Sequence, residues 1–75
     1  MTTDNLGARL RATREQRQLT REALGAMTET SPLTILRAEL HGSSPTIGTL
    51  QAWAAALDVP IGFLLTGATV GPDAA

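Results

Sequence analysis

Residues 19–45 read LTREALGAMTETSPLTILRAELHGSSP, and the punctuation of this stretch sets the architecture of the whole chain. Thr20 precedes REALGAM as a helix cap, because its hydroxyl accepts from the otherwise free amides of the next turn. Ala23, Leu24 and Met27 form the inward stripe of that short helix. Thr28, Glu29 and Thr30 break the apolar period and make a turn. Ser31 then caps a second helix, with Pro32 at its first position, where the missing N–H costs little. This helix closes near Leu40, and His41, Gly42, Ser43 and Ser44 make a loop. Two short helices across a tight turn are an arrangement in which one helix braces the other for presentation.

The flanks supply three more helices. Upstream, the pattern predicts a helix over residues 5–17, capped by Thr3 or Asp4, with Leu6 and Leu10 on one face. Downstream, Pro45 and Thr46 introduce a helix whose Ile47, Leu50, Trp53, Ala54 and Leu57 fall three and four apart. Asp58, Val59 and Pro60 interrupt it, since proline disfavours helix in the residue before it. A last brief helix covers residues 61–65. Residues 66–75, TGATVGPDAA, are small and Gly-rich and are expected to be a flexible tail. The expected organisation is therefore one domain over residues 1–65 and that tail, all-α, with no strand pattern and no internal repeat.

Composition excludes several function classes. A chain of 75 residues with 43% hydrophobic and 17% charged side chains buries one modest core. It has no cysteine and a single histidine, His41, so neither a disulfide framework nor a metal site is expected. The start MTTD lacks the basic and apolar regions of a signal peptide, and no apolar run approaches a membrane span. A cytoplasmic protein with no membrane partner is the expectation. No Gly-rich phosphate loop follows a strand, and no Ser/His/Asp arrangement stands on a fixed scaffold, so the chain does not read as an enzyme and no cofactor is expected.

Net charge is −1, low for a nucleic-acid binder, but its distribution is uneven. Arg9, Arg11, Arg14, Arg17 and Arg21 crowd the first third, only Arg37 lies beyond, and there is no lysine. Arginine suits bidentate phosphate and guanine contacts, although a GC-rich coding bias accounts for the missing lysine equally well.

Over about residues 6–65 the chain resembles the phage repressor/Cro-like helix-turn-helix family, also called the XRE type. The resemblance rests on LGARLRATREQRQLT, then EALG, the Ser31 start of the second motif helix, Ile35 at its buried position, Glu39, and Pro45 six residues on. The pattern T-I-x-x-L-x-x-W-A-x-A-L-D-V from Thr46 onward is also similar. It implies a compact five-helix bundle of the lambda-repressor-like DNA-binding type, with helices 2 and 3 as the helix-turn-helix. It further implies a largely internal ion pair between Arg14 and Glu39, with part of the Arg14 fork reaching a phosphate. Two departures stand out. Glu29 replaces the usual turn glycine between Thr28 and Thr30, which suggests a more polar and less tightly anchored turn. His41 takes a common glycine position, with Gly42 one place later.

The implied site follows from what helix 3 presents outward. Ile35 and Ala38 point in, which leaves Pro32, Leu33, Leu36, Arg37 and Leu40 on the opposite face, with Ser31 and Thr34 at its margins. The family's base-reading positions fall on Pro32, Leu33 and Arg37. Here only Arg37 offers a bidentate contact, while Leu33 and Leu36 suit thymine methyls and Ser31 is a further base contact. Arg14, Thr20, Arg21, Thr34, Ser43 and Ser44 are the expected phosphate contacts. The alternative is that Leu33, Leu36 and Leu40 form an apolar face that docks another protein. A single reading helix covers few base pairs, so such modules pair on two half-sites. Ile61, Phe63 and Leu65 are the expected homodimer interface, in line with where the family places its dimer contacts.

Overall fold

The computed structural model describes residues 5–66, and every regular element among them is helical. The order is α1 (Leu6–Gln16), α2 (Arg21–Thr28), α3 (Pro32–Leu40), α4 (Ile47–Leu57) and α5 (Ile61–Thr66). The starts of α1 to α4 follow one chemical rule. Asn5, Thr20, Ser31 and Thr46 each sit in extended backbone, and each side-chain oxygen accepts from the amide three residues on. Each cap satisfies a donor the helix cannot pair itself and contributes about 1 kcal/mol. Two helices end in left-handed residues that are not glycine, Glu29 at φ 58° and Asp58 at φ 59°.

Burial orders these helices around Leu10, Leu24, Ile35, Leu50, Trp53, Leu57 and Leu64, with Ala38 and Ala54 filling between them. Each of the large side chains contributes about 1.5–3 kcal/mol on leaving water. α1 packs on α3 and α5, α2 packs on α3 and α4, and α4 packs on α5. α3 is thus gripped by α1 and α2 through Ile35, Ala38 and Glu39, and its remaining face is left to solvent. The grip is close. A Cβ at Gly7 would lie 2.5 Å from the Ala38 carbonyl oxygen and 2.7 Å from that of Glu39, so only glycine lets α1 approach α3 this far.

The structure departs from the sequence expectations at particular residues. Asn5 is the cap of α1; Thr3 and Asp4, expected there, lie outside the described residues. Met27 and Ile47 are exposed, not inward. In α2 the inward place near the helix end goes to Thr28, whose hydroxyl bonds the Leu24 carbonyl at 2.8 Å. In α4 the buried stripe starts one turn after Ile47, at Leu50. Thr66 closes α5 and is not the first tail residue, while the remainder of the expected tail, residues 67–75, lies outside the described residues.

The turn between α2 and α3 is anchored by a different chemistry from the one its sequence suggested. The Thr28 and Thr30 hydroxyls bond each other at 2.8 Å, and the buried Trp53 indole N–H donates to Thr30 Oγ1 at 3.1 Å. A polar chain therefore runs from the α2 backbone through the turn to the core of α4. Thr30 N also returns to the Gly25 carbonyl at 3.0 Å, and a Cβ at Gly25 would collide with the Thr30 carbonyl oxygen. The turn is more polar, as expected, but it is tied down. The His41 departure resolves similarly: Gly42 adopts φ 71°, one residue later, and the His41 and Ser43 amides both return to the Arg37 carbonyl.

Candidate nucleic-acid interface

α3 projects from the bundle because its cap, its proline and its packing all act at one side. Ser31 Oγ accepts from Thr34 N at 3.1 Å and also bonds Thr34 Oγ1 at 3.0 Å, which draws both hydroxyls to the N-terminal end of the helix. Pro32, Leu33, Thr34, Arg37 and Leu40 are exposed along its outer face. Leu36, expected on that face, is half-buried, so the outer stripe of leucines is broken at its middle. Leu33 and Leu40 remain 51% and 49% exposed. Thr34, Arg37, Ser43, Ser44 and Pro45 line one shallow groove between α3 and the loop that follows it. The structure therefore brings Arg37 together with three hydroxyls named from sequence alone. Thr20 and Arg21 lie at the start of α2, where Thr20 Oγ1 is already held by the Ala23 amide at 2.9 Å.

Behind this face sits a charge cluster. Arg14 Nε donates to Glu39 Oε2 at 2.7 Å and Nη2 to Oε1 at 3.2 Å, a two-pronged contact between a side chain 8% exposed and one fully closed at 0%. Arg14 Nη1 donates to the Leu19 carbonyl at 2.7 Å. The Glu39 hydrogen bond raises the Arg14 pKa above its ordinary value, against the lowering effect of burial. Because the shift is upward, the stability it contributes is present below the unfolded-state value and lost only as pH rises through the folded one, far into alkali. The guanidinium thus stays charged at every working pH. All three of its nitrogens donate within the protein, so the expected phosphate contact would fall to the second N–H of Nη1 or Nη2.

Sequence reasoning missed what most of the other arginines do. Arg9 Nε and Nη2 donate to the Leu64 and Leu65 carbonyls at 3.0 and 2.8 Å. Arg17 Nε and Nη2 donate to the Leu57 and Asp58 carbonyls at 2.8 and 3.4 Å. Both serve carbonyls left over at the ends of α5 and α4, helices whose own last turns carry no basic residue. That deficiency is the one signal in the sequence that pointed to them. Arg11 pairs with Glu15 at 3.2 Å on the surface of α1. The apparent basic third of the chain is therefore largely internal bracing, and Arg37 is the arginine that stands exposed without a side-chain partner among the described residues.

At the far end, Leu64 is buried, Phe63 and Ile61 are half-buried against the core, and Leu65 is 44% exposed. Phe63, expected to be left over for a partner, is thus already partly used by its own chain.

The fold and this surface define a class: a small all-helical module that holds a short helix outward between two bracing ones. The sequence profile described as helix-turn-helix matches residues 10–64, so the chain belongs to the helix-turn-helix family, in its repressor-like XRE branch. Among solved structures, it is similar to the P22 c2 repressor in complex with a synthetic operator, with 32% identity, 88% of this chain and 100% of that chain covered, and TM-score 0.83. The solution structure of the P22 c2 repressor DNA-binding domain gives 33% identity over 89% of this chain and 88% of that one, with TM-score 0.82. The N-terminal DNA-binding domain of SinR from Bacillus subtilis, 22% identical over 79% of this chain and 87% of that one with TM-score 0.74, shares the fold. No curated protein matches the chain by sequence.

Proposed function

We propose that this protein is a sequence-specific DNA-binding transcriptional regulator, a repressor or autoregulator, that docks α3 in the major groove of an operator as a homodimer. The observation that carries the reading is Arg37. It lies exposed on the outer face of α3, without a side-chain partner among the described residues, in a groove shared with Thr34, Ser43 and Ser44. A guanidinium in that setting is available to a guanine edge, and the hydroxyls beside it to the flanking phosphates. Leu33 offers apolar contact to thymine methyls, with Ser31 and Pro32 at the leading end of the helix and half-buried Leu36 a lesser contributor. The operator-bound P22 c2 repressor, similar over 88% of this chain, supports the same partner here. Ile61, Phe63 and Leu65 would meet their copies across the dimer axis, chiefly through Leu65. A cytoplasmic location follows from a chromosomal or phage DNA target.

The exposure of Leu33 and Leu40 favours a second reading, in which α3 docks a protein partner through Leu33, Leu36 and Leu40. Amide chemical-shift mapping on adding duplex DNA separates the two. Shifts concentrated at residues 20–21, 31–37 and 43–44 support docking by α3. A folded protein whose α3 amides stay unmoved by saturating duplex would contradict it and leave the protein-docking reading.

A further inference from the structure

α1, α2 and α3 meet at one carboxylate. Besides its two bonds from Arg14, Glu39 Oε1 accepts from Arg21 Nε at 3.0 Å. Two guanidinium groups thus share the one carboxylate of Glu39. The two arginines are not equivalent. Arg14 donates from Nε, Nη1 and Nη2 to Glu39 and Leu19, and its side chain is 8% exposed. Arg21 has spent Nε alone, its side chain is 26% exposed, and its terminal nitrogens have no acceptor among the described residues.

We propose that Glu39 is the positioning residue for a backbone-phosphate contact made by Arg21, holding the Nε side of the guanidinium so that its terminal nitrogens face a phosphodiester. The inference rests on the DNA-binding reading above and deepens it. Glu39, fully closed, never touches DNA; it acts through Arg21, while Arg14 fixes the carboxylate from the other side. A planar guanidinium has five N–H donors and serves two anions at once, one on each edge. A lysine at residue 21 carries one compact ammonium on a flexible stem, without the two fixed edges that hold Glu39 and a phosphate at set positions. The geometry therefore demands arginine and not merely a positive charge.

Binding of the full chain to a duplex pool of mixed sequence, measured by anisotropy across a salt series, tests this. Arg21→Ala should flatten the plot of log affinity against log salt by about 0.9, the loss of one neutralised phosphate. Arg21→Lys should flatten it to the same extent, and Glu39→Gln should too, with the double variant R21A/E39Q no flatter than R21A. An Arg21→Lys protein with the wild-type slope and affinity would overturn the inference, since charge alone would then suffice. So would a folded Glu39→Gln protein that keeps the full slope. If Glu39→Gln fails to fold, Arg21→Lys decides alone, because Arg21 lies outside the core and leaves the Arg14–Glu39 pair in place. A wild-type protein without salt-dependent affinity for any duplex would sink the DNA-binding reading itself, and every variant would then be equally flat.

Discussion

Arg37 and Arg14 are the same residue type in opposite circumstances, one exposed on the outer face of α3 and the other buried between α1 and α3. Their substitutions should fail in opposite ways. Arg37→Ala should leave the melting temperature unchanged and relax base preference at one position of the bound site; equal weakening on every sequence would remove it as a base reader. Glu39→Ala leaves Arg14 as an uncompensated buried charge and should cost about 3–5 kcal/mol. Thermal denaturation checks this: for so small a domain each kcal/mol is worth about 4–8 °C, and an unchanged melting temperature would contradict an internal pair. The Arg14–Glu39 partnership was legible because the family resemblance names both positions. The roles of Arg9 and Arg17 were not, because their acceptors are backbone carbonyls 55 and 40 residues away, and helix ends without a basic residue do not say which arginine will serve them.

The α2–α3 turn shows how an element can keep its shape while changing its chemistry. Thr28, Thr30 and Trp53 carry a hydrogen-bonded chain that joins the turn to α4. Thr30→Val preserves the shape of that side chain but leaves a buried indole N–H without an acceptor, and should cost about 1–3 kcal/mol in a urea titration. A variant as stable as the parent would show that the chain does not anchor the turn. Glu29 is left-handed at φ 58°, so Glu29→Gly should raise stability by about 1 kcal/mol or less, relief of strain being offset by greater freedom of the unfolded chain. From sequence, the polar turn and the inward Trp53 were each legible. Their connection was not, since it spans 23 positions and no local period links them. Met27 illustrates the same limit: the apolar pattern assigns it inward, yet the helix stops at Glu29 and the inward place falls to Thr28.

At the scale of the whole molecule, the five-helix order was legible because polar caps and prolines mark each start, and the apolar stripes of α3 and α4 locate most of the core. The electrostatic face was not. Six arginines on a chain of net charge −1 suggest a basic stripe, but most are turned to internal acceptors, so few remain for phosphate. Assembly is the other property that belongs to this scale. Leu65→Glu should dissociate the proposed dimer with little loss of fold, read by sedimentation equilibrium; a parent protein that is monomeric at all concentrations would move the interface elsewhere or abolish it. The most direct measurement is selection of bound sites from a randomised duplex pool at moderate salt, followed by sequencing. Enrichment of a two-fold-symmetric site containing a guanine in each half is the expected result. A well-folded protein that enriches no sequence would contradict the claim that α3 reads DNA.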